Sequence, residues 1–123
     1  MLIYGHKLIK KPEFCFIKDD NFQKNAINCF FYNEKLIQKA QKQGFEFGIL
    51  AQNENEILLA NALKAKFIFI KNAHLAKKAS KMAEFYLFDS KILLIVKDFK
   101  KLETAYKLGV DGVILANHFA KSL

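Results

Sequence analysis

The stretch that most constrains the fold is residues 91–115, in the last third of the chain. It begins with a continuous apolar run at residues 92–96, continues through an amphipathic segment at residues 99–108, and ends in a second apolar run after Gly109. An apolar run without alternation is typical of a strand that is buried on both faces, and such strands belong to parallel sheets covered by helices. Residues 91–115 therefore predict a strand, a helix and a second strand parallel to the first.

Both ends of the helix in this unit carry local signals. Asp98 precedes the helix, and an aspartate side chain accepts hydrogen bonds from the free N–H groups of a first helical turn. Gly109 follows it, and glycine readily adopts the left-handed conformation that ends many helices. We therefore expect Asp98 to be the N-cap and Gly109 the C-terminal stop.

The same pattern repeats along residues 28–123, with apolar runs about 20 residues apart, as a strand, a helix and short connections require. The runs are centred on Phe30, Gly48, Phe69, Leu94 and Ile114. One of the intervening helices is expected over residues 72–86, with Tyr86 on its inward face. We predict a single α/β domain, 1–123, with an irregular N-terminal part at residues 1–27.

Two architectures fit repeated strand–helix modules with a mainly parallel sheet. One is a flavodoxin-like three-layer sandwich, with helices on both faces of a doubly wound sheet. The other is a half (βα)8-barrel, an arc of strands with helices on one side. The chain length favours the sandwich, because a lone half-barrel exposes its inner face, whereas the short modules favour the half-barrel. We prefer the sandwich and keep the half-barrel as the alternative.

The net charge of +8 is a feature that many nucleic-acid-binding proteins share. All 20 basic residues are lysine, however, whereas arginine is the residue that recognises guanine and phosphate in bidentate geometry. Lysines spread over solvated helix faces need no partner. The composition therefore argues against nucleic acid as the partner.

Other features of the sequence indicate a cytoplasmic protein. A polar residue interrupts each apolar run well before the length of a membrane span, and the N-terminus lacks the pattern of a signal peptide. Cys15 and Cys29 lie within apolar runs, and there is no Cys-x-x-Cys motif, so we expect buried, reduced thiols. We predict no metal site, no cofactor and no membrane partner.

Residues 108–115, with the sequence Leu-Gly-Val-Asp-Gly-Val-Ile-Leu, resemble the final strand of the phosphate-binding TIM barrels, which include the tryptophan synthase alpha subunit and thiamine phosphate synthase. Residues 119–123 are similar to the short helix that follows in that family. The resemblance covers about a quarter of the chain and implies a parallel βα fold. In that family, glycine-rich loops after the last two strands hold a phosphate. This chain has no glycine at the matching residues 97–98 and 116–118, so the resemblance carries over no site residue.

Ligands of parallel α/β sheets bind at the carboxyl ends of the strands. The predicted strand ends provide six candidate ligand-binding residues, namely Glu54, Lys71, Lys97, Asp98, Asn117 and His118. Lys71, Lys97 and His118 suit an anionic ligand, and Glu54 or Asp98 would be the acid–base partner. Helix N-caps occupy the same positions, so capping alone also accounts for the asparagine and acidic residues.

The sequence contains no glycine-rich nucleotide loop, nucleophile elbow or metal-binding motif, and this favours a protein without catalytic activity. We expect a protein-interaction or scaffolding domain, in which an exposed strand edge and the 13 Phe and 4 Tyr residues supply a surface for a protein partner or a homodimer. The alternative is an enzyme or sensor that binds a small phosphorylated or carboxylated metabolite at the strand ends. A second alternative is nucleic-acid binding through the lysines.

Overall fold

The computed structural model describes residues 1–120, which form one seven-stranded sheet and five helices. The strands are β1 (Leu2–Tyr4), β2 (Phe14–Phe16), β3 (Ile27–Phe31), β4 (Phe47–Leu50), β5 (Phe67–Ile70), β6 (Lys91–Val96) and β7 (Gly112–Leu115). The helices are α1 (Glu34–Gln43), α2 (Glu54–Ala62), α3 (Ala73–Tyr86), α4 (Leu102–Leu108) and α5 (Asn117–Ala120). A short helix is expected at residues 119–123, and residues 121–123 of that range lie outside the described part of the chain.

Every strand pair in the sheet is parallel, as the buried apolar runs predict. The strand order is β1-β7-β6-β5-β4-β3-β2, so strands that follow one another from β2 to β7 are neighbours, and β1 lies beside β7. Buried side chains of α1 to α4 all join one hydrophobic cluster on one face of the sheet. The sheet curls into the half-barrel arrangement, and it is not the doubly wound sheet of a three-layer sandwich.

The inner face of the curled sheet is filled by its own side chains, and this removes the objection that a lone half-barrel exposes that face. Phe67 and Phe69 of β5 point inward with exposed fractions of 3% and 0%. The Phe14 ring of β2 packs edge-on against both, with centroids 5.4 and 5.8 Å away. Gly48 makes room, because a Cβ atom there would lie 2.5 Å from the Phe69 ring. Large rings from a few strands thus occupy the space that more strands would enclose.

The outer face packs against the helices through alternate residues of the same strands. In β5, Ile68 and Ile70 are fully buried and belong to the helix-side cluster. Helix α1 contributes Leu36, Ile37 and Ala40 to this cluster, as the helical spacing predicts. Burying each large aliphatic side chain contributes about 1.5–3 kcal/mol to stability.

Three helices begin at asparagine caps that end the preceding loops. The Oδ1 atoms of Asn33, Asn53 and Asn72 accept hydrogen bonds from first-turn N–H groups at 2.9–3.2 Å. The expected cap at Asp98 is wrong. Helix α4 begins three residues later than that cap requires, and Asp98 Oδ1 instead accepts the N–H of Lys100 in a turn at 2.9 Å.

The N-terminal part, residues 1–27, contains two three-residue strands and is otherwise irregular. The buried side chain of Asn28 fixes the last loop of this N-terminal part. Asn28 Oδ1 accepts the N–H of Gln23 at 2.8 Å, and its Nδ2 donates to the Gln23 carbonyl at 3.1 Å. Because an unpaired buried amide is costly, these two bonds hold the loop against β3.

Candidate functional site

The carboxyl ends of the strands meet at one rim, since all seven strands run the same way. Asp98 and Lys97 follow β6, and Asn117 and His118 follow β7. These four residues are neighbours along the rim because the N–H of Ala116 donates to the Val96 carbonyl at 2.8 Å. The rim therefore brings four of the six candidate residues to adjacent strand ends.

Lys71 lies elsewhere on the rim, beside a pocket of about 220 Å³ after β4 and β5. Gln52 and Asn72 add polar groups to the wall, and Phe31, Leu50 and Leu75 add apolar ones. Phe31 is 43% exposed at the mouth of the curled sheet and packs edge-on against Phe16. The pocket thus places one lysine beside both polar and apolar side chains at the rim.

The remaining contacts draw the candidate residues apart rather than into one cluster. Glu54 forms an ion pair with Lys78 of α3 at 2.8 Å. His118 lies against the loop after β1, where a Cβ atom added at Gly5 would be 2.7 Å from the His118 ring. Lys97 and Asn117 are exposed. The six residues do not form a single ligand-binding cluster in the part of the chain that the structure describes.

A larger cleft lies at the opposite end of the sheet, between the C-terminal halves of α3 and α4. We call it the α3–α4 cleft. Its volume is about 480 Å³, and it is lined by Lys77, Ser80, Lys81, Ala83, Glu84, Phe88, Ile92, Lys107, Leu108, Gly109 and Asp111. Residues 77, 81, 84 and 88 follow one another at helical spacing along α3 and the turn after it. Sequence reasoning placed these lysines on a solvated helix face and missed the cleft, which depends on how α4 packs beside α3.

The end of α3 carries three consecutive exposed apolar side chains, which we call the α3 tip. The exposed fractions of Phe85, Tyr86 and Leu87 are 78%, 62% and 83%. The Phe85 and Tyr86 rings touch edge-on, with centroids 4.8 Å apart. The expectation that Tyr86 points inward is therefore wrong, because the inward face of the helix ends at Met82 and Ala83.

The two thiols lie away from both surfaces. Cys29 is fully buried on the inner face, and burial holds the pKa of its thiol far above the ordinary value of 9.0. Burial also raises the pKa of the partly exposed Cys15. Both cysteines are free, as the sequence indicates.

Two kinds of feature are absent from residues 1–120. No group of three or more histidine, cysteine or acidic side chains within this range is placed to hold a metal ion. No helix there is both long and apolar enough to cross a membrane.

No protein family matches this chain, and no curated protein shows significant similarity to it.

Proposed function

We propose that the protein is a non-catalytic protein-interaction domain whose contact surface is the α3 tip together with the adjoining α3–α4 cleft. The observation that carries this proposal is the exposure of Phe85, Tyr86 and Leu87 side by side. Single exposed apolar residues are ordinary on a protein surface, but a contiguous group of large ones is typical of a binding site. Aromatic side chains are also the residues that most often dominate binding energy at interfaces.

The backbone of Leu87 supports the same surface. Leu87 has φ 55°, a left-handed conformation that is favourable for glycine and costs other residues about 1–2 kcal/mol. A leucine there gains nothing from burial, since its side chain is 83% exposed. Contact with a partner would bury this side chain and offset the cost of holding it in place.

The state of the rim supports a function without catalysis. Glu54 and Asp98, the two acids expected to act as acid–base partners, have their carboxylates in other contacts, with Lys78 and with the N–H of Lys100. Rings fill the interior below the rim, so in the described part of the chain the curled sheet encloses no space for a substrate inside it.

Site-specific photo-crosslinking in cells tests the proposal. A photoreactive phenylalanine analogue replaces Phe85 in one variant and Leu8, which is 81% exposed in the N-terminal loop, in a matched control. We expect a discrete protein to crosslink at position 85 but not at position 8. After purification, this protein should bind the wild-type chain but not the variant Phe85→Ser/Leu87→Ser. Crosslinks of equal yield at both positions, or none at position 85, would refute the proposal. A crosslink between two copies of the chain would show that the partner is a second copy and that the protein forms a homodimer.

A second candidate function is the binding of a small anionic metabolite at the pocket beside Lys71. The pocket combines this lysine with the half-exposed ring of Phe31, and an anion with a planar apolar part would suit both. Thermal denaturation in the presence of phosphorylated and carboxylated metabolites tests it. A ligand present at about 100 times its Kd stabilises the folded state by about 2.7 kcal/mol, and Lys71→Ala should abolish that shift.

A further inference from the structure

The α3–α4 cleft combines a positive wall with an apolar floor. Lys77 and Lys81 of α3 line it on one side and Lys107 of α4 on the other. Within residues 1–120 none of these three lysines takes part in an ion pair, although Lys11, Lys39, Lys66 and Lys78 all do. Three unneutralised charges around one concave surface attract a negatively charged group.

The acidic residues of the cleft differ in how much they oppose this attraction. Asp111 Oδ2 accepts a hydrogen bond from the N–H of Ile92 at 2.7 Å, so this carboxylate is held against the start of β6. Glu84 is exposed at the edge of the cleft next to the α3 tip, and it has no ion-pair partner among the described residues. The three lysines therefore outnumber the two carboxylates, and Glu84 is the more exposed of the two groups that would repel an anionic partner.

The floor of the cleft is apolar and continues into the α3 tip. Ala83, Phe88 and Leu108, all partly exposed, line it, and Phe88 directly follows Leu87 in the chain. A simple anion would use the lysines but leave these carbon surfaces wet. A chain that alternates acidic and apolar side chains would use both.

We propose that the partner presents an acidic segment with interspersed apolar side chains, and that this segment docks in the α3–α4 cleft with its carboxylates on Lys77, Lys81 and Lys107. The inference rests on the proposed function and specifies the chemistry of the partner at the same surface. A polypeptide fits the cleft better than a nucleic-acid duplex does, because the phosphate backbone of a duplex offers nothing to the apolar floor and the lining contains no arginine.

Fluorescence anisotropy with a labelled peptide of alternating glutamate and leucine tests the inference on the full chain. We expect saturable binding at low salt that weakens as salt rises. The variant Lys77→Glu/Lys81→Glu/Lys107→Glu should bind at least about tenfold more weakly, which corresponds to about 1.4 kcal/mol. The variant Glu84→Gln should bind about two- to threefold more tightly, because it removes the repelling carboxylate.

The matched control is Lys24→Glu/Lys35→Glu/Lys42→Glu, which changes the net charge equally at exposed lysines outside the cleft. Equal weakening by this control, or no binding of the peptide at low salt, would overturn the inference. Tighter binding of single-stranded oligothymidylate through the same three cleft lysines would overturn it in favour of nucleic acid. Circular dichroism of each variant verifies that it is folded.

The two proposals can fail separately. If a partner crosslinks at position 85 but is not displaced by the glutamate–leucine peptide, the protein-interaction function stands and the acidic class of partner is wrong. If position 85 yields no crosslink, the interaction function is wrong whatever the peptide titration gives.

Discussion

The rings of Tyr4 and Phe14 lie with their centroids 5.5 Å apart, although they belong to β1 and β2, the two edge strands of the sheet. The Tyr4 ring also packs edge-on against Phe67 in the middle of the sheet, at 5.9 Å. Side chains of the two edge strands thus meet across the seam between β1 and β2, which are not paired through their backbones. The curled sheet is closed by aromatic contact in the place where backbone pairing ends.

A double-mutant cycle on this pair measures the contact. Aromatic pairs of this kind contribute about 0.5–1.5 kcal/mol beyond the burial of their surface. We expect Tyr4→Ala and Phe14→Ala to show a coupling free energy in this range when urea unfolding of the single and double variants is compared. The control cycle pairs Phe14 with Tyr106, an exposed residue of α4, and its two effects should add within about 0.5 kcal/mol. Additive effects for Tyr4 and Phe14 would show that the seam is open.

Replacing Gly48 with alanine should destabilise the fold through the Phe69 ring. The new methyl group would lie 2.5 Å from that ring, and overpacking of this kind costs about 1–3 kcal/mol. Because Phe69→Leu removes the clashing ring edge, the double variant Gly48→Ala/Phe69→Leu should be more stable than the sum of the two single effects. Urea denaturation of the four proteins measures this, and strictly additive losses would contradict it.

Glycine in place of Leu87 should stabilise the isolated protein. Relief of the left-handed strain exceeds the extra entropy that glycine gives the unfolded chain, for a net gain of about 0.5–1 kcal/mol. Lys64, with φ 70°, should respond to glycine in the same direction. Leu87→Ala is the matched control, since alanine keeps the Cβ atom and the strain. A gain as large for alanine as for glycine, in thermal or urea unfolding, would rule out the backbone explanation.

The thiol of Cys29 should resist alkylation in the folded protein. In a Cys15→Ser background we expect reaction with a thiol reagent only when the chain unfolds, because burial raises the pKa of Cys29 and excludes the reagent. The raised pKa also predicts a pH effect of definite sign. The contribution of the buried Cys29 thiol to the free energy of unfolding is complete below the unfolded pKa of 9.0. It falls as the pH rises above that value, by up to about 1.4 kcal/mol per pH unit.

The pH effect is checked by urea unfolding between neutral and alkaline pH. Removing the titrating group in Cys29→Ala should flatten the profile relative to the Cys15→Ser parent. A parent and variant with parallel profiles, or rapid labelling of native Cys29, would contradict the burial of this thiol.

Local features of the fold could be predicted from the sequence because their causes lie within a few residues. Gly109 ends α4 in the left-handed conformation, as the sequence predicts. The parallel pairing follows from the continuous apolar runs. The choice between the sandwich and the half-barrel did not follow from the sequence, because both architectures bury the same strands. Only the three-dimensional packing of Phe14 against Phe67 and Phe69 shows that the inner face of a half-barrel can be filled.

The candidate site was less predictable for the same reason. Position at a strand end places Lys71 and Lys97 on one rim, but the direction of each side chain depends on neighbours that are distant in sequence, such as Lys78 for Glu54. The α3 tip ends at Leu87 in a left-handed conformation, and leucine gives no sequence signal for that conformation. The α3–α4 cleft exists only because two helices of different modules lie side by side.

The pairing of β1 with β7 has a consequence for the time course of folding. Leu2 is in register with Gly112, and an added Cβ atom at Gly112 would collide with the Leu2 carbonyl oxygen at 2.2 Å, so the two strands approach closely. All the other strand partners succeed one another along the chain, so they can associate as synthesis proceeds. Strand β1 instead has no strand partner until β7 has been synthesised.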